Sequence, residues 1–176
     1  KAGLIGWMTF LPLGYTAYPG FGSAVAVLGV AGALLGALAG LLQTHPKAVL
    51  AYSSVSQMGL MITAVGLGLL DPATGKITRW IVVLYALHHG IAKCLLFLSV
   101  GLRTVRPMRG LETTLFWSGT VFAAIALIGA PFTSGAVAKS HLKYLVKDSV
   151  WVGAPTIGLL LTAAAAGTTL LMIQYL

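Results

Sequence analysis

Four ionisable side chains stand where charge is costly. His88, His89 and Lys93 lie near the middle of an apolar run from Arg79 to Arg103, and Lys139 follows an apolar stretch interrupted at Pro131. A charge at mid-bilayer costs roughly 2.5–3.5 kcal/mol on insertion scales, so such residues face a bundle interior or a hydrated path and mark function. His89 and Lys93 are four apart, which puts them on one helix face a turn from each other. Burial penalises the ammonium form of lysine relative to the amine. Imidazole both donates and accepts protons near neutral pH. Together these types suit proton transfer along a line of water. A lysine that snorkels to the interface is the plainer alternative, disfavoured for Lys93 by the length of uncharged chain on both sides.

A second set of polar residues accompanies the first. Ser53, Ser54, Ser56 and Gln57 fall within the apolar segment 47–70. Hydroxyls and amides in a spanning helix either bond neighbouring helices or order water, and both readings stand. Thr133 and Ser134 follow Pro131, with His141, Lys143 and Lys147 beyond Lys139. Proline removes a backbone donor and clashes with the preceding turn, so a break is predicted near 131–135. Broken helices with an ionisable residue beside the break recur at transport sites. An ordinary kink is the simpler alternative.

The elements that must position these residues are membrane helices. Of 176 residues, 58% are hydrophobic and 8% charged, with mean hydropathy +0.95. Soluble domains are about one-quarter charged, so a water-soluble fold is excluded. The fold class is an all-α, polytopic transmembrane helix bundle with one discontinuous, proline-broken helix. Its single transmembrane domain is expected to hold about five full spans and a partial first one. They are 1–13 (partial), 21–43, 47–70, 79–103, 112–147 (broken near 131–135) and 150–176, with 71–78 a turn loop. Gly32, Gly36 and Gly40, at i and i+4, suggest close helix packing. The net charge is +8, but the cations are scattered, without the clustering that nucleic acid requires. Cys94, the one cysteine, reads as a packing residue. No zinc, haem, iron–sulfur or phosphate-loop spacing occurs. The densest basic cluster, Arg103, Arg106 and Arg109, favours the cytoplasmic side, although Lys76, Arg79, Lys143 and Lys147 on the opposite side nearly balance the count.

Several segments resemble one family. Gln43-Thr-His-Pro-Lys-Ala-Val-Leu-Ala-Tyr-Ser-Ser-Val-Ser-Gln-Met-Gly59 is similar to the sequence joining two helices in the antiporter-like subunits of respiratory complex I, Mrp-type sodium/proton antiporters and membrane-bound hydrogenases. His88-His-Gly-Ile-Ala-Lys93-Cys-Leu-Leu-Phe-Leu98 resembles the family's histidine-and-lysine helix. Gly129-Ala-Pro-Phe-Thr-Ser-Gly-Ala-Val-Ala-Lys139 resembles its second discontinuous helix. Lys1-Ala-Gly-Leu-Ile-Gly-Trp7 resembles the lysine-bearing helix before them. The resemblance implies the second of two inverted repeats, a half-channel belonging to a longer subunit.

By that resemblance, Lys1 links the half-channels, His89 and Lys93 form the central relay, and Lys139 is the terminal group. His88, Ser53, Ser54, Ser56, Gln57, Thr133, Ser134 and His141 are candidate relay or lining residues. Ser140 follows Lys139 where many members carry an acid, so pairing at Lys139 has to come from elsewhere. No cofactor is expected in this chain; iron–sulfur, flavin or nickel–iron centres would belong to partner subunits. The partners implied are other membrane subunits, the lipid bilayer and protons or sodium, with no nucleic acid. The location implied is the inner or cytoplasmic membrane, or an organelle membrane derived from it, with the 103–109 loop cytoplasmic. The function implied is proton translocation driven by partner subunits. A sodium/proton antiporter subunit and a structural scaffold are the alternatives.

Overall fold

The computed structural model describes residues 2–105, 109–148 and 153–176. Among these residues the chain forms seven α-helices: α1 (Ala2–Phe10), α2 (Pro19–Leu41), α3 (Pro46–Gly68), α4 (Pro72–Val105), α5 (Leu111–Ile128), α6 (Ser134–Asp148) and α7 (Ala154–Tyr175). Five of them, α2, α3, α4, α5 and α7, are long and apolar enough to cross a membrane. Their outward faces carry Leu28, Leu35, Leu84, Leu87, Leu98, Leu159 and Ile173, an apolar surface of the kind lipid covers. Cys94 is on this outer surface and is not a core packing residue.

Proline starts four of the spans. Pro19, Pro46, Pro72 and Pro155 lie in the first turns of α2, α3, α4 and α7, where a missing backbone donor costs nothing. Segment 71–78, expected as a turn loop, instead forms the opening turns of α4 from Pro72 onward. Its cause is local. Asp71 Oδ2 accepts from Thr74 N at 2.9 Å and Thr74 Oγ1 at 3.2 Å, a cap that satisfies early helix donors.

Helix α3 is the centre of the bundle, packed closely against α2. Of the expected Gly32-Gly36-Gly40 series, Gly36 and Gly40 are in close contact and Gly32 is not; a Cβ on Gly40 would reach Leu171 Cδ2 at 2.7 Å and Tyr52 Cβ at 2.9 Å. A Cβ on Gly32 would meet nothing within 4 Å, whereas one on Gly29 would reach Thr63 N at 2.5 Å and one on Gly36 would reach Ser56 N at 2.7 Å. The contact recurs at Gly22, Gly29 and Gly36, a seven-residue spacing that keeps one seam facing its partner. Gly59 answers from α3, its Cβ position 2.4 Å from Ala33 N. Gly59→Ala is therefore expected to force the helices apart and cost about 1–3 kcal/mol. Gly32→Ala should be neutral. Thermal melting of the purified, detergent-solubilised protein checks both.

Two apolar cores stack along the bundle axis. One gathers Leu60, Met61 and Ala64 of α3, Ile81, Val82 and Tyr85 of α4, Ala138 and Leu142 of α6, and Leu161 and Ala164 of α7. The other gathers Val49 and Leu50 of α3, Ala92 and Leu96 of α4, Ala124 and Leu127 of α5, and Leu171 and Met172 of α7. On α3 the residues between the cores are Ser53, Ser56 and Gln57; on α4 they include His88 and His89; on α7 they include Thr168. All six are buried. The break between α5 and α6 falls in the same interval, after Leu127 and before Ala138. A polar layer thus crosses the bundle between two dry ones.

Arg103 ties the far end together. Its guanidinium lies 4.3 Å from the Trp117 ring centroid, 5.4 Å from Tyr175 and 5.8 Å from Phe116. Cation–π contact of this kind joins the ends of α4, α5 and α7.

Candidate functional site

The site is the polar layer. Helix α4 presents Tyr85, His89 and Lys93 four residues apart, on one face turned toward α3. Lys93 is 5% exposed and His89 1%. The Lys93 ammonium donates to the Leu50 carbonyl at 2.7 Å and to the Ser53 hydroxyl. Ser54 donates to the same carbonyl at 3.2 Å. The Lys93 amine therefore turns inward, toward α3. A buried charge persists only when paired or well hydrogen-bonded, and here neutral oxygens provide that. Ser56 is buried where α3 packs on Gly36 of α2, and its Oγ has no hydrogen-bond partner among the described residues.

Gln57 belongs to a different group. Tyr85 Oη donates to Gln57 Oε1 at 2.6 Å, and Gln57 Nε2 donates to Thr168 Oγ1 at 2.7 Å. Thr168 Oγ1 donates in turn to the Ala164 carbonyl at 3.0 Å. Each link passes one proton donor to one acceptor on the next residue, so the trio clasps α3, α4 and α7. Tyr85→Phe removes the first donor and leaves a buried amide oxygen unsatisfied, at about 1–3 kcal/mol. The expected outcome is a lower melting temperature of the purified protein with proton translocation retained.

The break in the chain builds the second centre. Helix α5 ends at Gly129, whose φ of +84° is the left-handed cap conformation that glycine adopts without strain. Pro131 follows, and Phe132 takes φ +66° while pointing fully out of the bundle. A positive φ is uncommon for a bulky residue and marks local strain. Thr133 Oγ1 accepts from Ala136 N at 3.3 Å and so starts α6. The Lys139 ammonium reaches back across the break, donating to Ile128 O at 2.7 Å and Leu127 O at 3.1 Å. These are carbonyls at the open C-terminus of α5, where the helix dipole favours a cation. They are the partner that Ser140, in place of an acid, withholds. A cavity of about 290 Å³ beside Lys139 is lined by Gly129, Ser140, Lys143 and Leu161 among others.

His88 ties α4 to the start of α6. Its Nδ1 lies 2.7 Å from Ser134 Oγ, the first residue of α6. His141 is exposed and bonds its own helix, Nδ1 to Val137 O at 2.7 Å. Lys1 lies outside the described residues, as do Arg106 and Pro107. Of the candidate residues, Ser53, Lys93 and their carbonyl partner form one cluster, and Lys139 with the α5 terminus forms another. Ser134 and His88 bond each other, and His141 lines the same cleft as both. Sequence reading missed Tyr85, although its four-residue spacing to His89 was the available signal. Thr168 and the carbonyls of Leu50, Leu127 and Ile128 left no such signal.

Among the described residues no carboxylate enters the polar layer. Asp71 caps α4 and Glu112 sits in the first turn of α5. No group of three or more potential metal ligands occurs among the described residues.

Comparisons with known proteins agree with this architecture. Residues 1–172 match the family model described as NADH:quinone oxidoreductase/Mrp antiporter, TM. A putative antiporter subunit mnhA2 of Staphylococcus epidermidis is 32% identical over 132 residues, 65% of this chain and 16% of that protein. NADH-quinone oxidoreductase subunit L of Pseudomonas aeruginosa is 31% identical over 131 residues, 74% of this chain and 20% of that protein. NADH-ubiquinone oxidoreductase chain 5 of Triticum aestivum is 30% identical over 156 residues, 77% of this chain and 22% of that protein. The chain thus spans only about a fifth of the curated relatives it matches. It is an integral membrane segment of antiporter-like type, and it belongs to the NADH:quinone oxidoreductase/Mrp antiporter transmembrane family.

Proposed function

We propose that this chain conducts protons as part of an antiporter-like subunit in a complex I-related membrane assembly. The observation that carries the reading is the polar layer between two apolar cores, with Lys93 buried on neutral oxygens at one end and Lys139 on the open end of α5 at the other. Both lysines can give up a proton without leaving a carboxylate behind. His89, four residues before Lys93, is the exchange partner on the same face. Lys1 is the link toward a preceding half-channel. With no acid in the layer among the described residues, two protonated lysines repel, so charging one favours discharge of the next. A charge or conformational input from partner subunits would then move a proton onward.

The driving chemistry belongs to those partners, together with any iron–sulfur, flavin or nickel–iron centre. The assembly sits in an inner or cytoplasmic membrane, or an organelle membrane derived from it, with the 103–109 loop on the cytoplasmic side. Sodium is the weaker reading, because hard cations are held by sets of oxygen ligands rich in carboxylate. The test is acidification by the assembled complex in proteoliposomes, with and without sodium. Proton movement independent of sodium supports the proposal. Movement that requires sodium replaces it with the sodium/proton reading, and no movement at all leaves a scaffold.

A further inference from the structure

Helix α6 starts in a confined place. A Cβ on Gly135 would fall 1.9 Å from Ala126 O and 3.0 Å from His88 Nε2. The first turn of α6 is therefore wedged between the last turn of α5 and the His88 ring. His88 Nδ1 also holds Ser134 Oγ at 2.7 Å. Five residues further on, Lys139 grips the carbonyls of Leu127 and Ile128. The half-helix is thus tied by polar contacts at two points, once to α4 and once to α5. Beside the first tie lies a cleft of about 280 Å³, lined by Leu87, His88, Ile91, Ser134, Val137 and His141.

We infer that His88 is a positioning residue: through Ser134 it fastens the broken half-helix to the relay helix, so that movement at the His89–Lys93 face is transmitted to Lys139. This rests on the proton-conducting reading above. Residue adjacency supplies the link on α4, since His88 and His89 are consecutive. On α6 the link is the helix itself, which is stiff over the turn and a half from Ser134 to Lys139. Either direction of the His88–Ser134 bond serves, because imidazole nitrogen and hydroxyl each donate or accept. The tie therefore survives a change of tautomer at His88.

The test uses the assembled complex with His88→Ala, Ser134→Ala, the double variant, and His88→Asn, whose amide places a polar atom where Nδ1 stood. Two readouts are needed: backbone hydrogen exchange over residues 134–142, and proton translocation. Loss of one buried hydrogen bond should speed exchange about tenfold in His88→Ala and Ser134→Ala. His88→Asn should restore it. Translocation should fall equally in both single variants and no further in the double. Unchanged exchange in the two alanine variants overturns the tie. A His88→Asn variant with normal exchange but no translocation overturns the positioning role instead, and makes the imidazole itself a proton carrier. If Lys93→Ala leaves translocation intact, the conduction reading fails separately, and the exchange data still decide whether His88 fastens α6.

Discussion

Lys93→Ala is expected to reduce proton translocation by the assembled complex to background, at least about a hundredfold, with assembly retained. Lys93 is 5% exposed, and its ammonium bonds Leu50 O and Ser53 Oγ. Alanine removes the titratable group at that point of the layer, and a relay with one missing carrier loses the route rather than a fraction of it. Folding should tolerate the change better than most core truncations. Leu50 O keeps bonds from Ser54 and Ser53, and the burial cost of a charge disappears with the side chain. Acidification assays on complexes matched for subunit content check the outcome. Lys93→Arg separates charge from chemistry: the guanidinium stays protonated, so it should fill the site and still fail to conduct. Unaltered translocation in Lys93→Ala would falsify the relay.

Lys139→Ala should also abolish translocation, but with a structural penalty that Lys93→Ala lacks. Its ammonium satisfies two carbonyls at the open end of α5, where no further turn supplies donors. Leaving them without it costs about 1–3 kcal/mol each where water is excluded. Lys139→Gln discriminates the two roles. The amide can donate to the same carbonyls and restore stability, yet it cannot carry a proton at neutral pH. The expected pattern is a lowered melting temperature in Lys139→Ala, recovery in Lys139→Gln, and no translocation in either. Translocation recovered by glutamine would reduce Lys139 to a clamp on the break.

Much of the architecture was written plainly in the residues. Uninterrupted apolar stretches gave the spans, and Pro131 after Gly129 marked the break, because a proline at that depth has one main consequence. Helix α4 was misjudged at its start. Gly75 and Pro72 read as turn residues, whereas the Asp71 cap and the permitted place of proline in a first turn make them helical. The small-residue seam is legible in part: Gly36 and Gly40 lie in close contact as their spacing suggests, whereas Gly32 faces open space and Gly22 and Gly29 carry the contact instead. The histidine and lysine candidates were visible because charge in an apolar run is conspicuous. Their partners were not, because Leu50, Leu127 and Ile128 contribute only backbone oxygens. Every residue has one, and which become available depends on where helices end and how they pack. Lys139 shows this most clearly. Its neighbours in sequence gave no acid, and its actual partner is the terminus created by the break itself.

The most direct measurement is an electron cryo-microscopy map of the assembled complex in a lipid nanodisc, at a resolution that shows ordered water. Between Ser53, Ser56 and Lys93, past His89, and on to Lys139, a continuous file of waters is predicted, bounded above and below by the two apolar cores. Dry side-chain packing across that interval, with the Lys93 and Lys139 amines turned to the headgroups, would contradict proton conduction through this chain.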